Sequence, residues 1–378
     1  MQFNKCRLCN SKLFPNPLLQ LKGMPKAAQY FPEKDKFRED KGITLKIYQC
    51  SACGLAQLNI KPVDYFKEVI TAASFSEKTK LFRLSQMKEF VAEFRLRGKK
   101  VLEVGSGKGD MLDILEEAGL KAIGIEASAE SVKIGRSAGR EMIQDYIGDA
   151  NKINGYPFDA FVSFNYLEHL PNPDFIIKNI YNNTTADAVG FVTVPNLDYL
   201  LRTKCFYEFV ADHLSYFTKK TLTYAFEKNG FEVIECYAIN EDNDIVVMVK
   251  KRKALDISGH FTEVERLIKN FQKIVSDYKS QNKKVAVWGA GHRTLALLAL
   301  SGVKDIEYVV DSARFKQGKF TPILHLNIVS PEYLKKKKVD LVIVMVPGLS
   351  PGEVLKKLTQ MNVSAKVAVL RENKIKLI

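Results

Sequence analysis

The feature that most constrains this chain is residues 99–128, KKVLEVGSGKGDMLDILEEAGLKAIGIEAS. An apolar run over 101–104 meets the glycine turn Gly105-Ser106-Gly107-Lys108-Gly109-Asp110. Helical spacing follows at Met111, Leu112, Ile114 and Leu115, and a second apolar run over 121–125 ends on the acid Glu126. Strand, glycine turn, helix, strand and acid is the layout of a unit that holds an adenosine-containing ligand. Glycines let the backbone turn at positive φ and let a ligand lie against bare main chain. A carboxylate at the tip of the second strand can take both ribose hydroxyls in a bidentate hydrogen bond.

One departure chooses between ligands. A pyrophosphate binder uses G-x-G-x-x-G and leaves its helix N-terminus open to an anion. Here the turn is G-x-G-x-G, preceded by Glu103 and followed by Asp110. Those carboxylates repel a pyrophosphate and suit a cationic sulfonium and an α-amino group, so the residues favour S-adenosylmethionine over NAD. The stretch resembles motif I of class I S-adenosylmethionine-dependent methyltransferases. The cofactor-binding candidates here are Glu103, Gly105, Ser106, Gly107, Gly109, Asp110, Glu126 and the adjoining Ala127.

At 378 residues the chain is long enough for two or three domains, with an ordinary soluble composition of 46% hydrophobic and 26% charged residues. No apolar run is long enough to span a bilayer and residues 1–9 lack the core of a signal peptide, so the expectation is a cytoplasmic protein. The net charge of +14 suits an anionic partner, a nucleic acid or a phosphorylated small molecule. The lysines are scattered, and the densest run, 335–338, reads as a solvated edge.

Cys6-x-x-Cys9 and Cys50-x-x-Cys53 read as two knuckles of a tetrahedral four-cysteine zinc site. Four thiolates leave no open position, so such a metal is structural. Residues 74–97 have helical spacing, with Ser76 placed to cap the helix. Further strands are expected to end near 146–150 and to run over 160–164, 189–195, 231–238 and 244–250. The methyltransferase resemblance implies that Asp149 and Ala150 face the adenine. It also implies that Asn165, Glu168 and His169 of the E-H-L-P-N-P turn face the methionine part. Another helical pattern covers 254–282. A second strand and glycine turn follow, with Gly289, Gly291, His292 and Arg293, and an acid, Asp311, about twenty residues on. Arg293 at a helix N-terminus favours phosphate capture.

The cysteine module, the core and the second glycine turn, in this order, resemble the three-part nucleotide-sugar methyltransferases, including the 3-C-methyltransferases of deoxysugar biosynthesis. The motifs are the two cysteine knuckles, Asp212-His213-Leu-Ser-Tyr216-Phe-Thr218, Gly289-Ala-Gly291, and residues 310–322. The fold implied is α/β. It comprises a class I Rossmann-like core with a small N-terminal zinc module and a second C-terminal Rossmann-like domain. The expected divisions are a zinc module with a substrate loop (1–62), a helical lead-in (63–98), the methyltransferase domain (99–250), a connector (251–283) and a nucleotide-binding domain (284–378). Gly289, Gly291, His292, Arg293, Asp311, Arg314 and Lys316 would hold the substrate's nucleotide.

The resemblance puts the chemistry on His213 as general base. Asp212 would orient it or hold a substrate hydroxyl, and Tyr216 and Tyr166 are candidate donors. The family's Tyr-x-Glu-His is here Val210-Ala211-Asp212-His213, with a shorter acid and no phenol, and its early tyrosine has no match in 69–75. His169 reads as a structural histidine beside the cofactor. C-methylation of a nucleotide-linked sugar is favoured, with O- or N-methylation as the alternative on the same scaffold. No nucleic-acid or membrane partner is expected, and the chain is expected to be a monomer or homodimer. An NAD-linked oxidoreductase would need a catalytic Lys or Tyr-x-x-x-Lys beside the second turn. An RNA methyltransferase would need aromatics and arginines interleaved in the cysteine module.

Overall fold

A computed structural model describes residues 5–68, 76–149, 152–348 and 350–378. Ala150 and the 69–75 stretch therefore lie outside the described residues. The chain divides into two units, Met1–Lys253 and Ala254–Ile378.

The first unit opens with an antiparallel sheet of β1 (Leu19–Met24), β2 (Ile43–Gln49) and β3 (Ala56–Leu58). Helix α1 (Glu77–Glu93) follows, with Ser76 Oγ accepting from the Thr79 N–H as its N-cap. The central sheet then builds outward from β4 (Lys100–Val104). After α2 (Asp110–Glu117), β5 (Lys121–Glu126), α3 (Ala129–Ser137) and β6 (Met142–Gln144) extend it to one side. On the other side lie β7 (Phe158–Phe164) and, after α4 (Pro173–Asn182), β8 (Thr184–Pro195). Then come α5 (Leu197–Thr203), β9 (Ser215–Tyr216), α6 (Lys219–Lys228), β10 (Phe231–Ile239) and β11 (Asp244–Lys251). The order is β10-β11-β8-β7-β4-β5-β6, parallel except that β11 runs antiparallel to both of its neighbours. β9 leaves this sheet and pairs with β3 instead.

Side chains alternate across the central sheet because successive strand residues face opposite ways. Leu102, Val104 and Phe161 belong to one apolar cluster. Val101, Ala160 and Val162 pack into the other, with Phe90 of α1 and Phe191. Burial on both faces makes these strands near-continuous apolar runs. The chain leaves β4 towards β5 and returns on the other flank at β7, so β4 and β7 flank a topological switch point. Ligands of such sheets bind at the carboxyl ends there.

One strand lies elsewhere than expected. The third parallel strand is Met142–Gln144, and Tyr146 to Asp149 form the turn after it, closed by the Asp149 N–H on the Tyr146 carbonyl at 2.9 Å.

In the second unit α7 (Phe261–Ser280) precedes β12 (Val285–Trp288), α8 (His292–Ser301), β13 (Val309–Val310) and β14 (Ile328–Val329). α9 (Tyr333–Lys336), β15 (Leu341–Val344), α10 (Ser350–Gln360), β16 (Lys366–Arg371) and β17 (Lys374–Leu377) complete it. The sheet order is β14-β13-β12-β15-β16-β17, parallel but for β17. The helix expected as a connector packs into this unit, with Leu267, Phe271 and Val275 in its core.

In β8, a Cβ on Gly190 would come within 2.1 Å of the Phe161 ring, which packs against Phe226 and Phe231. Gly190→Ala should lower unfolding free energy by about 1–3 kcal/mol through overpacking. Denaturant midpoints at unchanged slope measure it.

Candidate active site

The carboxyl end of β4 opens into the glycine turn, where Gly105, Gly107 and Gly109 all take positive φ. Gly105 is also bare because the Tyr166 ring lies over it: a Cβ there would come within 2.5 Å of the ring. The Glu126 carboxylate, at the tip of β5, accepts from the Gly107 N–H at 3.0 Å and the Ser128 N–H at 2.9 Å. The acid thus braces the turn and carries the charge beside it. Glu103 is buried, and its Oε2 has no partner among the described residues; the same holds for the Ser106 hydroxyl. Burial, then the charges of Asp110 and Glu126, push the Glu103 carboxyl well above the usual carboxylate range. Such a pocket calls for a cation with N–H donors. The sulfonium and α-amino groups of S-adenosylmethionine fit that demand, and a pyrophosphate does not.

Asp110 is not an open acid of this pocket, because Arg140 lies 2.9 Å from it and pairs with Asp113 at 2.7 Å. Asp149 lies in the turn after β6 and pairs with Lys67 at 2.8 Å, with both side chains well exposed. Ala127 follows Glu126 at the strand end.

Beyond β7, Asn165 sits at φ 47°, its amide donating to Asp244 at 3.0 Å and its carbonyl accepting from the Thr193 hydroxyl at 2.7 Å. The turn that follows carries Glu168 and His169. Glu168 is 2% exposed with Oε2 unpartnered among the described residues, and burial pushes its carboxyl up to about 8. His169 donates its Nδ1–H to the Asp212 carbonyl at 3.0 Å, which leaves Nε2 as the lone-pair nitrogen. The His213 ring lies edge-on to it, with centroids 4.7 Å apart. Burial, then His169, push the His213 imidazole down to about 3, so it is neutral with a free lone pair.

The other catalytic candidates are engaged elsewhere. Asp212 does not orient the His213 ring: its Oδ2 accepts from the Ala28 N–H at 2.7 Å and its Oδ1 from the Tyr65 hydroxyl at 2.6 Å. The Tyr216 hydroxyl is buried against the Val210 backbone, donating to its carbonyl at 3.1 Å and accepting from its N–H at 3.0 Å. The Tyr166 hydroxyl donates to the Lys67 carbonyl at 3.0 Å. Tyr65 is the residue that sequence reasoning missed. It lines a cavity of about 60 Å³ with Phe66, Tyr166 and His169, and burial, then its bond to Asp212, push its phenol up to about 12.

The four N-terminal cysteines converge as their spacing implied. Cys6 and Cys53 Sγ lie 3.6 Å apart, Cys9 and Cys50 Sγ 3.4 Å apart, and all four sulfurs fall within 4.8 Å of one another. A disulfide would need about 2.05 Å. Tetrahedral sites with bonds of about 2.3 Å set sulfurs about 3.8 Å apart. The cluster therefore fits a zinc ion.

In the second unit, Gly289 turns at φ 111° and Gly291 caps α8, with His292 exposed and Arg293 half-buried at its start. Asp311 directly follows β13 and accepts from the Ala290 N–H at 2.7 Å, the Ala313 N–H at 2.8 Å and Lys316 at 3.1 Å. Burial opposes its ionisation, but these donors hold the carboxyl below its usual range. Arg314 is exposed in the same loop.

Residues 79–236 match the family model of the methyltransferase domain, and residues 251–367 match that of the C-methyltransferase C-terminal domain. The stretch 79–236 thus matches a methyltransferase domain, and its sheet has the class I Rossmann-like strand order. The chain is 23% identical over 265 residues to C-methyltransferase NovU of Streptomyces niveus, covering 62% of this chain and 63% of that protein. It is 29% identical over 111 residues to the ubiquinone biosynthesis O-methyltransferase of Actinobacillus pleuropneumoniae serotype 5b (strain L20), covering 27% of this chain and 47% of that protein. The chain thus spans less than two thirds of the length of either relative. Among solved structures it is similar to an S-adenosylmethionine-dependent methyltransferase from Clostridium acetobutylicum ATCC 824. That match has a TM-score of 0.39 and 13% identity, over 46% of this chain and 92% of the other. No helix of the described residues is long and apolar enough to cross a membrane.

Glu126→Ala removes both the brace on Gly107 and the charge at the β5 tip. Affinity for S-adenosylmethionine should fall by about 1.5–3 kcal/mol, the worth of a hydrogen bond to a charged group. Titration calorimetry reads it, and unchanged affinity would remove Glu126 from cofactor binding.

Proposed function

We propose that this protein transfers a methyl group from S-adenosylmethionine to a nucleotide-linked sugar, with a carbon beside a ketone as the favoured acceptor. What supports the reading is the edge-on pair of His169 and His213, with His169 lining a cavity beside the Tyr166 whose ring covers Gly105, in a chain whose residues 251–367 match the C-methyltransferase C-terminal domain. When bound, the donor supplies an electrophilic methyl on positive sulfur. Glu103, Ser106, Glu126 and the glycine backbone would hold it.

His213 would take the proton from the carbon beside the ketone, and the electron pair left behind would form the new bond to the methyl carbon as the methyl–sulfur bond breaks and its electron pair stays on sulfur. Methyl transfer asks little more of a protein than an in-line approach and a deprotonated nucleophile. His169 donates to the Asp212 carbonyl, which fixes its own ring edge-on to His213. Asp212 and Tyr65 tether the loop between the two cysteine knuckles at Ala28 and Gln29, beside the imidazoles. In the second unit, Arg293, Arg314 and Lys316 around the Gly289–Gly291 turn suit the phosphates of a nucleotide. Zinc in the four-cysteine cluster would be scaffold. The protein would work in the cytoplasm on a small molecule, as a monomer or homodimer.

The deciding experiment incubates the protein with isotopically labelled donor and a panel of nucleotide sugars, then locates the label by mass spectrometry and NMR. Label on carbon is expected. Label on oxygen would convert the reading to an O-methyltransferase, and no labelled sugar would overturn it. His213→Ala should cut turnover by about 10²–10⁴-fold, the usual worth of a positioned general base, while donor affinity is retained.

Metal analysis should find one zinc per chain, lost in Cys9→Ser together with Cys50→Ser. Chelation should lower the thermal midpoint of the first unit, since structural zinc contributes folding energy directly. An unchanged midpoint would make the cysteines mere fillers.

A further inference from the structure

Glu168, His169 and His213 have more coordinating capacity than their neighbours use. Each brings one donor atom, and the three atoms lie within 4.8 Å of one another. The two elements that carry them are laced by backbone: the Leu214 N–H donates to the Glu168 carbonyl at 2.8 Å, and His169 Nδ1–H to the Asp212 carbonyl at 3.0 Å. That second bond aims the bare Nε2 of His169 at Glu168, whose Oε1 is 4.0 Å away. The other carboxylate oxygen, Oε2, is buried without a partner among the described residues, and the His213 ring packs against the His169 and Tyr216 rings.

Two imidazole nitrogens and one carboxylate oxygen form the donor set that borderline divalent ions take, whereas magnesium and calcium prefer oxygen alone. A metal-binding histidine usually donates its other N–H to a carbonyl or carboxylate, as His169 does here. Metal–ligand bonds of about 2.0–2.2 Å set neighbouring donors about 3–3.5 Å apart, so small side-chain adjustments would close the set. His169 also lines the cavity of about 60 Å³ beside Tyr65 and Tyr166.

We infer that Glu168, His169 and His213 form a binding site for a divalent transition-metal ion of the zinc or cobalt type, separate from the four-cysteine cluster, and that the bound ion blocks methyl transfer. The binding stands on the donor set alone. The block rests on the reading of His213 as the base, because one lone pair cannot hold both a metal ion and a proton. An ion at this site thus competes with the substrate proton for the same nitrogen.

The test uses the full chain as isolated, with its zinc in the cysteine cluster, titrated with cobalt(II). One further equivalent should bind, with the visible bands of a nitrogen- and oxygen-ligated ion and without new thiolate charge-transfer absorption. Glu168→Gln and His213→Gln, each checked for cooperative thermal unfolding, should weaken that equivalent by roughly tenfold or more. No further equivalent, or one that both variants keep, overturns the site. With an acceptor sugar from the labelled-methyl panel, turnover should fall in step with cobalt occupancy and return on chelation. A rate that rises with occupancy overturns the block and takes the role of base from His213, while the site itself stands.

Discussion

The arrangement depends on a backbone seam at residues 212–216. On one side the Leu214 N–H donates to the Glu168 carbonyl at 2.8 Å; on the other the Leu58 N–H donates to the Leu214 carbonyl at 3.0 Å. β9 continues the seam by pairing Ala56 with Tyr216 and Gln57 with Ser215. Main-chain bonds therefore clamp His213 between the turn after β7 and the N-terminal sheet. Its 4.7 Å approach to His169 follows from the path of the chain. Side chains only refine it, through the His169 bond to the Asp212 carbonyl.

The seam explains why a cysteine cluster belongs with a methyltransferase core at all. Arg7, between the cysteines of the first knuckle, sends its guanidinium to the Leu58 and Ile60 carbonyls and to the Pro171 carbonyl at 3.1 Å. Pro171 lies two residues past His169, and Leu58 ends β3. A buried guanidinium is costly unless carbonyls take its donors, and such charged bonds are worth about 1.5–3 kcal/mol each. The knuckle thus holds both walls of the slot in which His213 sits. Anything that fixes the four sulfurs also stiffens that slot, which would be a physical reason to hold a metal there.

The sequence showed most of the frame and little of the side-chain wiring. The positions of most parallel strands were legible because strands buried on both faces become apolar runs, and the turn at Gly105 was legible because positive φ demands glycine. Cys6, Cys9, Cys50 and Cys53 were legible from spacing alone. The short strand Met142–Gln144 was misplaced because three residues carry too little pattern, and the apolar residues after it mimic a strand end. Asp212, Tyr216 and Asp149 look reactive in a string of letters. Their partners, Ala28, Val210 and Lys67, were not foreseeable, because the Asp212 and Asp149 bonds join residues 184 and 82 positions apart. Tyr65 was missed for the same reason: nothing local marks a tyrosine whose partner lies 147 residues on.

Charge divides the two units' ligands. The chain as a whole is +14, yet the end of β4 gathers Glu103 and Glu126 with little local cation, since Arg140 sits with Asp110 and Asp113. Carboxylates crowded under low dielectric raise each other's proton affinity, and an incoming cation relieves that repulsion in proportion to its closeness. The donor's sulfonium is such a cation, and its neutral product is not. On the proposed function, the same acids would lose their hold once the methyl has gone, which would favour release of the spent cofactor. In the second unit, Arg293 and Arg314 flank a glycine turn whose single acid, Asp311, is already engaged by two N–H groups and Lys316. On the proposed function, an anionic substrate would be drawn to the second unit and a cationic donor to the first, so neither ligand would compete for the other's place.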